Sequence, residues 1–164
     1  MCNRAEMSME GYYTFGPHKI DAKDVFYTTQ LSFAMVNLRP ALPGHVLIIP
    51  KREVKRVADL TAEETCDLWL TAQKVGTQLE SYHNASSLTF NIQDGPEAGQ
   101  TVPHVHIHIL PRKIGDFERN DDIYEAIDEK EKELKRKLDI EKERKDRSSE
   151  ERIQEANAYR PLFL

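Results

Sequence analysis

The sequence predicts an α+β fold: a mainly antiparallel sheet of about five strands, one long packing helix, and a charged helical segment at the C-terminal end. Three observations carry this. Short stretches that alternate or run apolar, at 31–37, 45–50, 87–93 and 104–109, are separated by Pro/Gly-rich turns, as antiparallel strands require. An apolar repeat at helical spacing runs through Leu68, Ala72, Val75, Leu79 and Tyr82. Beyond Asp116 the composition shifts to Glu, Asp, Lys and Arg.

In chain order, residues 1–11 are polar with scattered methionines and read as a flexible leader. Residues 12–20 read as a short aromatic edge strand, with 24–28 as its pairing partner. Arg39-Pro40-Ala41-Leu42-Pro43-Gly44 is a turn between the strands at 31–37 and 45–50, which makes them a hairpin. Thr61 and Glu64 have the spacing of a capping box and open the helix; Asn84 suits its left-handed end. Residues 121–147 are expected to form a solvated helix with Ile123, Ile127, Leu134 and Leu138 as a thin apolar stripe. Ser148 caps a last short helix that ends before Pro161. The expected division is leader 1–11, core 12–117, and an extension of the same domain over 118–164.

Composition bounds the function. A chain of 164 residues can bury a sizeable single core. Net charge −5 and a pI near 5.7 argue against nucleic acid as a partner, so an anionic substrate has to be held by local donors. Two cysteines, Cys2 and Cys66, make no disulfide framework and point to a reducing compartment: the cytoplasm, with the nucleus as a second location. No apolar run is long enough for a signal peptide or a membrane span.

The chemistry concentrates at residues 93–112. His104, His106 and His108 alternate with Val105, Ile107 and Ile109, which puts three imidazoles on one strand face and the aliphatics in a core. Upstream, Gly95, Pro96, Gly99 and Gln100 make a loop whose backbone can approach a ligand and whose N–H groups suit phosphate oxygens. Histidines beside such a loop point to phosphorus chemistry, because imidazole serves as nucleophile, donor or acid/base near neutral pH. His106, flanked on both sides, is the expected nucleophile. His108 is expected to donate to the α-phosphate, and His104 to support the nucleophile. Zinc bound by the alternating histidines is a competing reading, weakened because no metal ligand is expected to complete the site.

His104-Val105-His106-Ile107-His108-Ile109-Leu110 resembles the histidine triad, His-φ-His-φ-His-φ-φ with φ apolar. Residues Gln93 to Val102 before it, and Leu110-Pro111-Arg112-Lys113 around its end, resemble the Fhit (fragile histidine triad) branch of that superfamily. The resemblance implies a HIT-like fold and a bis(5′-adenosyl)-triphosphatase-type hydrolase. Such an enzyme cleaves diadenosine triphosphate to AMP and ADP through a nucleotidyl-histidine. Adenylylsulfatase activity on adenosine 5′-phosphosulfate is the alternative at the same site, and a nucleotide-binding signalling protein with little turnover is another. The resemblance also implies that His45 lies near the triad and that Gln93 contacts the phosphates. Gly99, Gln100, Thr101 and Val102 match the substrate loop, Asn37 the ribose contact, and His18 a position near the base. Tyr124 matches a tyrosine phosphorylated in the animal member; here its expected role is helix packing. A homodimer joined through sheet edges is implied. A divalent cation (Mg or Mn) is expected to ride on the polyphosphate, with no protein metal ligands and no organic cofactor.

Overall fold

The computed structural model describes residues 11–139 and 147–164. The expectations for residues 1–10, and for the side chains of Leu134 and Leu138, fall outside the described residues.

Seven strands form two sheets. Strands β1 (Tyr12–Phe15) and β2 (His18–Asp21) pair only with each other. Strands β3 (Val25–Thr28), β4 (Ser32–Val36), β5 (Val46–Pro50), β6 (Ser87–Asn91) and β7 (Ile107–Arg112) form an antiparallel sheet in the order β3-β4-β5-β7-β6. The pairing expected between 12–20 and 24–28 is therefore corrected. Gly16, at φ +54, turns the chain inside the expected edge strand and makes a separate hairpin. The next segment then pairs with β4 instead.

Both faces of the five-stranded sheet are covered, which is why β4 and β5 are buried at every position. Ala34, Val36, Val46, Ile48, Ile107 and Ile109 face the larger core, shared with α1 (Ala62–Tyr82) and α3 (Ser149–Tyr159). Phe33, Met35, Leu47 and Ile49 face the other way, against Phe15 of the β1–β2 hairpin and Val102. Helix α1 opens with the expected capping box. Thr61 accepts from the Glu64 N–H, and Glu64 accepts from the Thr61 N–H. Leu68, Ala72, Val75 and Leu79 are fully buried, each larger side chain contributing about 1.5–3 kcal/mol. Tyr82 departs from the predicted face, being 46% exposed: at the last position of the helix its ring meets His83 and Tyr159 edge-on rather than entering the sheet core. Asn84 takes the left-handed conformation, φ +50.

Helix α2 (Asp122–Asp139) is not merely a solvated rod. Ile123 and Ile127 are fully buried against Leu110 of β7. That docking leaves Tyr124 48% exposed, so the expected packing role for it is corrected. Ser148 caps α3 with a second capping box, and Tyr159 and Phe163 pack on Phe26 of β3.

Candidate active site

The histidine run sits where β7 starts, on the face covered by the β1–β2 hairpin. Leu47 pairs with His108 and Ile48 with Ile107 across the β5–β7 ladder, which ends there. Only Ile107 onward is strand, so the expectation of one strand carrying all three histidines needs correcting. The reason is Pro50, the last residue of β5, which has no N–H to continue the ladder. Its carbonyl is taken instead by the His104 ring, at 2.8 Å. Val105 crosses to bond Val54 through its backbone. The imidazoles still face the hairpin, while Val105, Ile107 and Ile109 enter the core as expected.

Hydrogen bonds fix the tautomer of each ring. The His104 Nδ1 accepts from the Gly16 N–H at 3.0 Å, so its Nε2 carries the proton donated to Pro50 O. Burial pushes its pKa below the usual imidazole value, which keeps the ring neutral. With both nitrogens committed to the backbone, His104 ties the hairpin to β5 and offers no lone pair to a metal. His106 donates from Nδ1 to the His104 carbonyl at 2.7 Å, which leaves the lone pair on Nε2. The Phe15 ring meets it edge-on at 5.0 Å. His45 accepts the Ala41 N–H at Nδ1 (3.0 Å), so its Nε2 carries the proton; that N–H donates to His108 Nδ1 at 2.9 Å, the shorter of its two contacts, with the Asn37 amide 3.2 Å from the same nitrogen. The His108 proton is thereby placed on Nε2. A nucleophile-ready ring and a donor-ready ring stand side by side, their centroids 4.9 Å apart.

The loop before the triad is built on two left-handed glycines. Gly95 (φ +104) and Gly99 (φ +94) bracket a short helical turn, Pro96–Ala98. A Cβ on Gly99 would lie 2.6 Å from the Gln93 amide nitrogen. Asp94 anchors the loop through Arg56 and the Val57 N–H. The expected substrate residues take different positions here. The Gln100 side chain braces the loop, accepting from the Gly95 N–H and donating to Lys55 O. Val102 is buried in the smaller core. The Gln93 amide donates to Asp128 of α2, while its carbonyl oxygen is buried and accepts no hydrogen bond among the described residues. Asp128 went unread in the sequence. It follows Ile127, and it reaches the site only because Ile123 and Ile127 dock α2.

Asn37 and Leu47 line both a narrow cleft with His45 and His108 and a neighbouring slot of about 400 Å³. The slot holds Phe15, His18, Met35 and Leu38, so His18 and Asn37 line one slot. Burial lowers the His18 pKa. Asp24 and Arg152 close the slot, and neither had a sequence signal, being lone charges on elements 128 residues apart. Among the described residues no group of three or more His, Cys, Asp or Glu side chains is disposed to hold a metal ion.

The family model described as the HIT domain matches residues 19–115, more than half of the chain. The chain belongs to the HIT family. A HIT protein of Arabidopsis thaliana, the bifunctional bis(5′-adenosyl)-triphosphatase/adenylylsulfatase FHIT, is 68% identical over 99% of this chain and 90% of its own length. The Dictyostelium discoideum bis(5′-adenosyl)-triphosphatase is 54% identical over 91% of each chain. In the crystal structure of the Caenorhabditis elegans NitFhit protein, the matching part superposes with a TM-score of 0.75 at 44% identity. That match covers 95% of this chain and 31% of the NitFhit chain. The α+β HIT-like fold expected from the sequence is thus the fold observed. No helix among the described residues is long and apolar enough to cross a membrane.

Proposed function

We propose that this HIT protein hydrolyses dinucleoside 5′,5′-polyphosphates, diadenosine triphosphate above all, to AMP and ADP through a nucleotidyl-histidine. The observation that carries this is the 2.7 Å bond from His106 Nδ1 to the His104 carbonyl, which keeps the proton on Nδ1 and the lone pair on Nε2. In the first step that lone pair forms a bond to the α-phosphorus and the bond to the ADP oxygen breaks. In the second, water adds to phosphorus, the P–N bond breaks, and AMP leaves with His106 restored. Two displacements replace one difficult one. His108 Nε2–H is positioned to donate to a non-bridging oxygen as charge gathers there. His104 acts through its carbonyl, as a positioning residue. The Gln93 amide, once released from Asp128, donates to the leaving-group side. Gly99, Thr101 and the loop backbone surround the phosphates, with Asn37 at the ribose and His18 near the base.

Adenosine 5′-phosphosulfate is the second substrate we propose, cleaved to AMP and sulfate. It presents the same adenylyl half to His106, and the Arabidopsis relative is named for both activities. A divalent cation, Mg²⁺ or Mn²⁺, accompanies the polyphosphate rather than a cage of protein ligands. The working unit is a homodimer joined at the β6 edge, where Phe90 and, on α1, Trp69 are 39% and 45% exposed. The free Cys66 fits a cytoplasmic or nuclear setting.

The test is AMP release from each substrate by wild-type protein and His106→Asn. Turnover of diadenosine triphosphate that disappears in the variant while nucleotide still binds supports the mechanism. Full turnover by His106→Asn contradicts it. Tight binding without turnover in the wild type would move the reading to a nucleotide sensor.

A further inference from the structure

The slot beside His106 ends in an ion pair that its surroundings do not explain. Asp24 closes the single helical turn Ala22–Asp24 after β2 and is only 5% exposed. Its Oδ2 receives Arg152 Nε from α3 at 3.1 Å, whereas its Oδ1 is buried with no hydrogen bond among the described residues. Arg152 in turn donates to Arg147 O. The remaining walls are largely apolar: Phe15, Pro17, Ile20, Met35, Leu38 and Leu47. Packing alone would be served as well by aliphatic residues, since a half-satisfied buried carboxylate costs more than it returns. Burial pushes the Asp24 carboxyl up against the opposing pull of Arg152, as expected of a group short of donors.

A ligand N–H supplies what is missing. The slot shares Asn37 and Leu47 with the cleft of His45 and His108, and Phe15 links it to His106. A nucleotide with its α-phosphorus at His106 therefore directs its nucleoside into this slot. Asp24 lines the slot but its Oδ1 has almost no exposed surface, so that oxygen reaches the base through rotation of the carboxylate about its last torsion, a soft one in aspartate. We infer that Asp24, held by Arg152, accepts a hydrogen bond from the exocyclic amine of the bound base and makes the site selective for an amino-bearing purine. This rests on the nucleotide-binding reading of the site.

The experiment compares binding of AMP with that of purine riboside 5′-monophosphate, which lacks only the 6-amino group, by calorimetry. Diadenosine triphosphate hydrolysis is measured on the same samples. The wild type is expected to prefer AMP by about 10- to 100-fold, the worth of one hydrogen bond to a charged acceptor. Asp24→Val combined with Arg152→Met removes the ion pair as a unit, while Arg160, the other cation that acts on Asp24, keeps its bonds to Lys23 O and Val25 O. There the preference should fall to near unity, with affinity for the deamino nucleotide kept. Asp24→Asn, which keeps the shape with a weaker acceptor, should fall between, and guards against failure of the double variant to fold. Equal affinities in the wild type, or full preference in either variant, overturn the inference while hydrolysis continues. A wild type that neither binds AMP nor hydrolyses the substrate brings down the nucleotide reading and the inference with it.

Discussion

Removing His45 should damage catalysis without touching the substrate's reacting atoms. Its ring joins the Ala41 N–H to His108 Nδ1 through bonds of 3.0 and 2.9 Å. His45→Phe keeps a ring there and deletes both, along with the 3.2 Å contact to the Asn37 amide. The His108 ring then loses the donor that holds its proton on Nε2, and its two neutral tautomers become comparably populated. A positioned donor of this kind is worth about 10²–10³ in kcat, so weakening its placement should cost about 10- to 100-fold. The Ala41 N–H also loses its acceptor, lowering stability by about 1–3 kcal/mol. His45→Gln, whose amide can still donate toward His108, should recover most of the rate. Steady-state AMP release, measured well below the melting point of each variant, separates kcat from KM. The fall should lie in kcat. A His45→Phe enzyme with wild-type kcat, or a His45→Gln enzyme just as slow, would refute the tautomer argument.

Other predictions follow from local geometry. Gly99→Ala places a Cβ 2.6 Å from the Gln93 amide at φ +94, so kcat/KM for diadenosine triphosphate should drop at least about tenfold with a stability loss near 1 kcal/mol, read by turnover and denaturant unfolding. Thr61→Ala removes the α1 cap and should lower unfolding free energy by about 0.5–2 kcal/mol, seen as a shifted denaturant midpoint with unchanged slope. The Arg52 hydrogen bonds lower the Glu64 pKa to about 2, so the folded state releases that proton more readily than the unfolded state, whose value is 4.5. The stabilisation is complete above pH 4.5 and is lost as pH falls toward 2; Glu64→Gln should flatten that part of the stability–pH curve.

Much of the fold could be read from periodicity because its faces are cleanly divided. The Thr61 cap, the Leu68–Leu79 stripe and the Ser148 cap all formed where spacing put them. Residues near the triad were legible too, since glycines and alternating histidines are local signals. What escaped depends on long-range docking. Gly16 reads as an ordinary small residue until its N–H meets His104, 88 positions away. The Pro50 carbonyl and the missing Pro50 N–H together decide where β7 begins, and no pattern within residues 104–109 carries that information. Asp128 and Asp24 acquire meaning only when α2 and α3 are seated, because one surface carboxylate looks like any other in a chain so rich in charge.

The covalent step is tested most directly by the stereochemistry at the α-phosphorus. A substrate carrying a chiral thiophosphate at that position would be hydrolysed in ¹⁸O-labelled water, and the configuration of the adenosine thiophosphate product determined. Attack by His106 followed by attack of water inverts the centre twice, so net retention is predicted. Net inversion would mean that water displaces the leaving group in a single step, and His106 would not be the nucleophile.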